Sequence, residues 1–297
     1  MKKVVVLMAT YNGERYLEEQ IDSILGQTHR DLRLYIRDDG SSDGTLDILD
    51  GYKLRTNVNV IMGEHLGYPA CFWELIKLNI DADYYFFSDQ DDVWFDNKVS
   101  SAIEYMEKNS KDEPTSYYSA YYLCDSNKNI ISKELPNGGK CLSDVLFDRA
   151  GFEFTMMFNK KGYDGLLENM PISPVRGPWM GWYFAGCGSI LADEQAYAIY
   201  RRHENTVTAD MSAVGVLKWR ITKFIRGKGL TEYKAAIKDI RCVFYDKLND
   251  NDKKLVDLFA DNRYFRNVLR KVFYPSRFRR NVMDEILLRV LFLIDKL

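Results

Sequence analysis

Residues 84–94, which read Tyr-Tyr-Phe-Phe-Ser-Asp-Gln-Asp-Asp-Val-Trp, constrain the fold of this chain more than any other stretch. They begin as an unbroken apolar run, which is typical of a strand buried on both faces. They end in three carboxylates, Asp89, Asp91 and Asp92. Asp89 and Asp91 point to the same side of an extended backbone. Because like charges this close repel, the pattern indicates either a solvated acidic turn or a site for a hard divalent cation with oxygen ligands.

Strand-like and helix-like segments alternate four times before this acidic end. Short segments rich in apolar residues predict the strands, and apolar residues at helical spacing predict the helices between them. The predicted strands are residues 3–9, 32–37, 58–62 and 84–89. Such alternation predicts an α/β fold with parallel strands and right-handed crossovers. Ligands in these folds bind beyond the carboxyl ends of the strands.

Two of the predicted strand ends carry groups that suit a nucleoside. At the first end, Tyr11 can stack on a flat base, next to the backbone of Ala9 and Thr10. At the second end, Asp38 or Asp39 can accept a hydrogen bond from a base imide or a ribose hydroxyl. The alternative for the second end is an ordinary turn and helix cap, for which Asp, Ser and Gly are the usual residues.

The bulk composition excludes some classes of protein. The formal net charge is −2, which argues against nucleic acid as the main partner. The five cysteines form no close pair and predict reduced thiols in a cytoplasmic protein. No apolar stretch approaches the roughly 20 residues that a membrane span needs.

Three motifs resemble successive signatures of the family 2 inverting glycosyltransferases of the GT-A fold. They are residues 9–13 (Ala-Thr-Tyr-Asn-Gly), 37–45 (Arg-Asp-Asp-Gly-Ser-Ser-Asp-Gly-Thr) and 87–94. The last motif is similar to that of the bacterial rhamnosyltransferases. The resemblance implies a Rossmann-like, mostly parallel sheet flanked by helices. We therefore expect a GT-A domain over residues 1–210 and a helical C-terminal extension over residues 211–297.

The resemblance also implies roles for residues in these motifs. Ala9, Tyr11 and Asp38 or Asp39 would hold the nucleoside of a sugar nucleotide. Asp89 would contact the ribose or the donor sugar, and Asp91 would bind Mg²⁺ or Mn²⁺ on the diphosphate. The nucleotide-binding set is then Ala9, Thr10, Tyr11, Asp38, Asp39 and Asp89.

The catalytic base and the acceptor site are harder to assign. Many members of the family that the chain resembles have His-Asp before a pair of tryptophans, whereas this chain has Arg176, Gly177 and Pro178 before Trp179. Glu153, which is flanked by aromatic residues, is the replacement candidate, against the alternative of a solvated strand-edge residue. The remaining candidates are Asp92 as a catalytic residue, Asp148 as a second choice of base, and Trp179 and Trp182 as acceptor platforms or core residues.

Of the three histidines, one is a candidate functional residue and two are interpreted as structural. His203 follows a strand-like segment and is similar to a family histidine, which makes it a candidate metal ligand or diphosphate donor. A lone histidine is more often neither. His29 and His65 are interpreted as surface or turn residues.

Helical spacing continues through the C-terminal third, over residues 217–225, 233–245, 255–273 and 282–297. Arginines concentrate between residues 263 and 280, next to the apolar last helix. A basic stretch beside an apolar helix can lie on anionic lipid. The family resemblance implies that this lipid would be at the inner face of the plasma membrane. The alternative is a bundle that packs against the sheet domain or against a second copy in a homodimer.

We therefore expect a metal-dependent, inverting hexosyltransferase, with dTDP-L-rhamnose as the favoured donor. The favoured acceptor is a hydroxyl of a bacterial surface polysaccharide or its lipid-linked oligosaccharide precursor. The alternative is a catalytically inactive sugar-nucleotide-binding or scaffold subunit, because the usual acid is missing near Trp179. A nucleotidyltransferase is a weaker reading, since no Gly-rich, Lys-bearing loop lies near the N-terminus.

Overall fold

The computed structural model describes residues 1–125, 128–202, 228–261 and 263–294. The chain forms two compact units. Unit 1 comprises Met1–Gly138, Ala150–Glu168 and Gly188–His203, and unit 2 comprises Gly139–Arg149, Asn169–Cys187 and Glu204–Leu297. The predicted boundary at residue 210 stays a prediction.

Unit 1 is built on a nine-stranded sheet in the described parts of the chain. The strands are β1 (Val4–Thr10), β2 (Leu32–Asp38), β3 (Val58–Met62), β4 (Tyr84–Ser88), β5 (Val93–Trp94), β6 (Thr115–Cys124), β7 (Ile130–Glu134), β8 (Met156–Asn159) and β9 (Ser189–Arg201). The helices are α1 (Leu17–Leu25), α2 (Thr45–Tyr52), α3 (Ala70–Lys77) and α4 (Lys98–Asn109), with α6 (Lys160–Glu168) further along the chain.

The sheet order is β3-β2-β1-β4-β8-β6-β9-β5, and β7 pairs with β6. The first four strands are parallel, as the alternating pattern predicted. Strand β8 then runs antiparallel to both β4 and β6. The α/β fold class is confirmed. The order of the chain reverses between β1 and β4, which is the position where α/β sheets bind ligands.

Burial explains why the two central strands, β1 and β4, form. Every residue of β4 is buried, and so is every residue of β1 except Ala9. A strand covered on both faces needs apolar side chains at every position rather than at alternate ones. Helix α1 packs its apolar face against this sheet through Leu17, Ile21 and Ile24. The core of unit 1 therefore fixes the position of each strand end.

Unit 2 is helical in its described part. Its helices are α5 (Leu142–Val145), α7 (Gly177–Cys187), α8 (Lys228–Val243), α9 (Asp250–Ala260), α10 (Tyr264–Val272) and α11 (Val282–Leu293). Its core is aromatic: the Phe147 ring lies 4.8 Å from the Phe259 ring and 5.3 Å from the Phe292 ring. The predicted helix over residues 217–225 lies outside the described residues.

The sequence predicted one helix over residues 255–273, and this prediction is wrong. The helix is interrupted at Asp261, whose backbone is extended at φ −78° and ψ 127°. The Asp261 carboxylate accepts a hydrogen bond of 2.9 Å from the Arg263 N–H. An aspartate that binds the backbone in this way competes with the helical hydrogen bonds, so α9 and α10 form separately.

Within the described part of the chain, none of the helices has the length and apolar character required to cross a bilayer.

Candidate active site at the carboxyl ends of the parallel strands

The pairing of the strands brings several predicted site residues to one edge of the sheet. Thr10 at the end of β1 pairs with Asp38 at the end of β2, and Ala9 pairs with Arg37. On the other side of β1, Met8 pairs with Ser88, the last residue of β4. The segments that follow these three strand ends are therefore neighbours, although they are separated by up to 80 residues in the chain.

Gln90 joins the end of β1 to the acidic segment. Its side-chain oxygen accepts hydrogen bonds from the Thr10 hydroxyl at 2.7 Å and from the Tyr11 N–H at 2.8 Å. Its amide nitrogen donates to the Tyr11 carbonyl at 3.2 Å. A Cβ atom on Gly13 would lie 2.5 Å from the Gln90 oxygen, so a larger residue there would displace the Gln90 side chain. The amide of Gln90 thus sets the position of Tyr11 relative to Asp89 and Asp91.

Asp38 organises the turn after β2. It is 1% exposed. Its carboxylate accepts hydrogen bonds of 3.0 Å from the Gly40 and Ser41 N–H groups and one of 2.5 Å from the Ser41 hydroxyl. Gly40 adopts a φ of +82°, a conformation that L-residues rarely take. This is the turn that the sequence analysis gave as the alternative to nucleoside binding.

Asp39 holds the loop that follows β3. Its carboxylate accepts hydrogen bonds from the Gly67 N–H at 2.7 Å and the Leu66 N–H at 3.1 Å. It also pairs with the buried guanidinium of Arg37. Burial raises the pKa of Asp39, but the two amides and Arg37 outweigh burial and hold the pKa below its usual value. Both neighbouring carboxylates therefore accept hydrogen bonds from loop backbone at this edge of the sheet.

The pH dependence of stability should reveal the ionised state of Asp39. Because its pKa is lowered in the folded protein, ionised Asp39 stabilises the fold above the unfolded pKa of about 4, and this contribution is lost as the pH falls. We expect Asp39→Asn to lower the free energy of unfolding by about 1–3 kcal/mol at pH 7 and by less at pH 4. Urea unfolding at both pH values measures this. Asp31→Asn, at an exposed aspartate, is the matched control, and an equal loss at both pH values would contradict the account.

Tyr11 and His65 form an aromatic pair beside these loops. Their ring centroids are 4.2 Å apart, and the His65 Nδ1 lies 3.0 Å from the Asp39 carbonyl oxygen. A stacked base needs about 3.5 Å on each side, so no base fits between the two rings. Tyr11 is 44% exposed and keeps an open surface for stacking. His65 was interpreted as a surface or turn residue, and its contact with Tyr11 was not predicted.

Asp92 and Lys98 are buried behind the acidic segment, each 1% exposed. Neither carboxylate oxygen of Asp92 has a hydrogen-bond partner in the described chain. Burial and the charges of Asp91 and Asp89 raise the pKa of Asp92, while Lys98 and Arg201 oppose this rise. Burial lowers the pKa of Lys98 to about 7, against the opposing charge of Asp92.

Lys98 also links this segment to the turn that carries Glu153. Its Nζ donates to the Phe154 carbonyl oxygen at 3.3 Å and lies 4.7 Å from the Trp94 ring centroid. Glu153 is half-buried at the start of a short 3₁₀ helix, Glu153–Thr155. One buried amine therefore connects the acidic segment with the turn of the candidate base.

Only some of the carboxylates in this cluster are placed to bind a metal ion. The described residues contain no group of three or more His, Cys, Asp or Glu side chains placed to hold a metal. Asp38 and Asp39 are filled by hydrogen-bond donors, and Asp92 is buried. Asp89 and Asp91 are half-buried and lie just beyond the carboxyl end of β4. Mg²⁺ typically uses one or two protein carboxylates and completes its shell with water and phosphate oxygens, so Asp91 with Asp89 fits such an ion.

The remaining candidates lie elsewhere. In unit 2, Trp179 and Trp182 are fully buried, and their indole N–H groups donate to the Asn169 and Val145 carbonyls. These rings pack in the aromatic core of unit 2 and present no exposed face. Asp148, also in unit 2, accepts from the Arg280 N–H at 3.2 Å and lies 3.7 Å from the Arg279 guanidinium. His203 lies outside the described residues.

Comparisons with known proteins agree with this geometry. Residues 5–157 match the family model described as Glycosyl transferase family 2. The chain is 27% identical to the dTDP-rhamnosyl transferase RfbG of Shigella flexneri, over 97% of this chain and 99% of that protein. It is also 32% identical to the putative teichuronic acid biosynthesis glycosyltransferase TuaG of Bacillus subtilis, over 36% of this chain and 43% of that protein.

Among solved structures, S. aureus TarS 1-349 in complex with UDP-GlcNAc has a similar fold. The TM-score is 0.61 at 17% identity, and the match covers 99% of this chain and 80% of that chain. At this identity the similarity supports the fold alone.

Proposed function

The chain belongs to glycosyl transferase family 2, and from this membership we propose that it moves L-rhamnose from dTDP-L-rhamnose onto a hydroxyl of a bacterial surface polysaccharide or its lipid-linked precursor, with inversion and with the help of a divalent cation. The observation that carries the proposal is the convergence of the Tyr11 ring, the Asp39 loop and the Asp89–Asp91 segment at the switch point between β1 and β4.

The donor is proposed from similarity over nearly the whole chain. RfbG, named as a dTDP-rhamnosyl transferase, matches 97% of this sequence, including unit 2. Thymine carries a planar ring, which can stack on the open face of Tyr11. The Ala9–Thr10 backbone at the end of β1 lies next to that ring.

Asp91, with Asp89, would hold Mg²⁺ or Mn²⁺ against the diphosphate. A bound cation would offset the negative charge that develops on the leaving nucleoside diphosphate. Gln90, between the two aspartates, positions both of them against Tyr11 through its three hydrogen bonds. Lys98 lies behind the same segment, where its positive charge opposes the rise in the pKa of Asp92.

Glu153 is the proposed base that takes the proton from the acceptor hydroxyl. It lies in unit 1 with the donor site, whereas Asp148 is held in unit 2 by Arg279 and Arg280. We expect Glu153→Gln to lower the rate of sugar transfer by about 10²–10⁴-fold, because general-base catalysis contributes that much. Binding of dTDP should be unchanged, since Gln keeps the size of Glu. Rapid-quench transfer assays measure the rate, and unchanged turnover would clear Glu153 of this role.

A panel of nucleotide sugars tests the donor proposal. The melting temperature is measured with Mn²⁺ and dTDP-L-rhamnose, UDP-GlcNAc, UDP-glucose or GDP-mannose, because a ligand that binds the native state raises its stability. We expect the largest rise with dTDP-L-rhamnose, followed by release of dTDP when an acceptor glycan is added. A larger rise with another donor would overturn the rhamnose assignment. Binding without transfer to any acceptor would instead support the inactive sugar-nucleotide-binding subunit.

A further inference from the structure

Helix α10 and Phe273, the residue that follows it, expose a row of large apolar side chains. Phe265, Leu269 and Phe273 are 93%, 63% and 77% exposed. They are spaced by four residues, so each lies only about 40° around the helix from the last. The three side chains therefore form one stripe on the surface of unit 2. Large apolar side chains grouped in this way mark an interaction surface, unlike single exposed ones.

Arginines border this stripe, and the opposite side of α10 is fixed inside unit 2. Arg266 and Arg270 are exposed and follow the stripe around the helix. Neither arginine has an ion pair within the described ranges. Asn267 and Lys271 on the other side are buried, and the Lys271 amine lies 5.3 Å from the Phe259 ring. The stripe and its basic border are therefore held facing outward.

Helix α11 exposes a second apolar face. The exposed residues recur at helical spacing, while Leu288 and Phe292 point into unit 2. The exposed set is Val282, Met283, Ile286, Val290 and Leu293. Arg289 fastens this helix to the end of α10, because its guanidinium donates hydrogen bonds of 3.0 Å to the carbonyls of Lys271, Val272 and Tyr274. The two helices therefore form one connected element.

The charge pattern distinguishes between the partners that could cover these faces. A second copy related by twofold symmetry would place the same surface against itself, and the unpaired arginines of both copies would approach each other. An anionic bilayer instead offers phosphates to the arginines and an acyl boundary to the phenylalanines. A helix with an apolar face and a basic border is the form that lies in the interface of such a bilayer.

We propose that the exposed faces of α10 and α11 bind the surface of an anionic phospholipid bilayer. Phe265, Leu269 and Phe273 enter the boundary between headgroups and acyl chains, and Arg266 and Arg270 contact headgroup phosphates. The inference depends on this surface alone and not on the proposed sugar transfer. It gives the C-terminal region a role in locating the enzyme at a membrane.

Vesicle sedimentation with the full chain tests this proposal. We expect binding to vesicles of phosphatidylcholine with phosphatidylglycerol and much weaker binding to phosphatidylcholine alone. Phe265→Ser with Phe273→Ser should lower the partition coefficient on the order of 100-fold. Arg266→Gln with Arg270→Gln should lower it by about fivefold for each arginine and should weaken its salt dependence. Leu54→Ser with Ile172→Ser, at two highly exposed apolar residues elsewhere, is the control and should bind like the original protein.

Two results would overturn the proposal. One is equal or absent binding to both kinds of vesicle. The other is a dimer in lipid-free solution, measured by light scattering, that Phe265→Ser with Phe273→Ser dissociates, since a second copy would then cover the stripe. Transfer to a soluble acceptor glycan should continue unchanged in these variants, so a failure here is separate from a failure of the proposed activity.

Discussion

Replacing Asp91 by alanine is expected to lower the rate of sugar transfer on the order of 10³-fold. The reason is that the variant loses the proposed ligand for the cation that offsets charge on the leaving diphosphate, and such electrostatic stabilisation is worth several kcal/mol of activation free energy. Turnover is measured as dTDP release over a series of Mn²⁺ concentrations. The loss should persist at saturating donor, because the missing interaction forms mainly as the glycosidic bond breaks.

The matched control for this variant is Asp96→Ala, which removes an exposed carboxylate five residues further along the same segment. It should keep its turnover and its response to Mn²⁺. If Asp91→Ala retained full turnover, or if chelation with EDTA left the original protein active, the metal role of Asp91 would be wrong.

Replacing Lys98 by methionine is expected to have the largest effect on stability. The change removes the positive charge of Lys98, which opposes the raised pKa of buried Asp92, and it removes the hydrogen bond to the Phe154 carbonyl. Leaving a buried polar group without its partner costs about 1–3 kcal/mol, which corresponds to a fall in Tm of about 2–12 °C. Thermal unfolding followed by circular dichroism measures the effect, with exposed Lys108→Met in the same helix as the control.

A second substitution separates charge compensation from simple loss of packing. In Lys98→Met with Asp92→Asn no unpaired charge is left buried, so this double variant should recover part of the lost stability. The losses of stability caused by two substitutions add up when the sites are independent, and they do not add up when the sites interact. Additive losses in the double variant would show that Lys98 and Asp92 do not compensate each other.

The arrangement of the parallel strands could be predicted because it depends on local pattern. A short unbroken apolar run such as that of β4, bounded by turn residues, is typical of a buried strand, and the helices between such strands favour parallel pairing. The edge of the sheet where ligands bind then follows from the topology. The interruption at Asp261 was missed, since a single side chain competing for backbone hydrogen bonds does not disturb the apolar period on either side.

The partners of the site residues could not be predicted, because they come from loops that are distant in the chain. Asp39 is occupied by the amides of Leu66 and Gly67, which reach it only through the pairing of β2 with β3. The contact of His65 with Tyr11 depends on the same loop. Lys98 did leave a signal, since it precedes the buried residues Ala102 and Met106 by four and eight positions. A lysine on the apolar face of a helix indicates a buried charge that needs a partner.

The packing of unit 2 could not be predicted from the sequence, for a different reason. A pair of tryptophans such as Trp179 and Trp182 is typical both of a sugar-binding platform and of an aromatic core. Only three-dimensional contacts distinguish these two roles. The indole N–H groups bond to carbonyls within unit 2, and the Trp182 ring packs 5.1 Å from the Tyr233 ring. These contacts account for both tryptophans as core residues.

Calorimetric titration with dTDP, in the presence and absence of Mn²⁺, tests most directly whether the ends of β1, β2 and β4 form one nucleotide site around a cation. For the original protein we expect Mn²⁺ to tighten dTDP binding by at least about tenfold, which corresponds to about 1.4 kcal/mol. Asp91→Ala should lose this gain, and Tyr11→Ala should weaken binding with and without the ion. An affinity for dTDP that is the same in all three proteins and indifferent to Mn²⁺ would contradict the account.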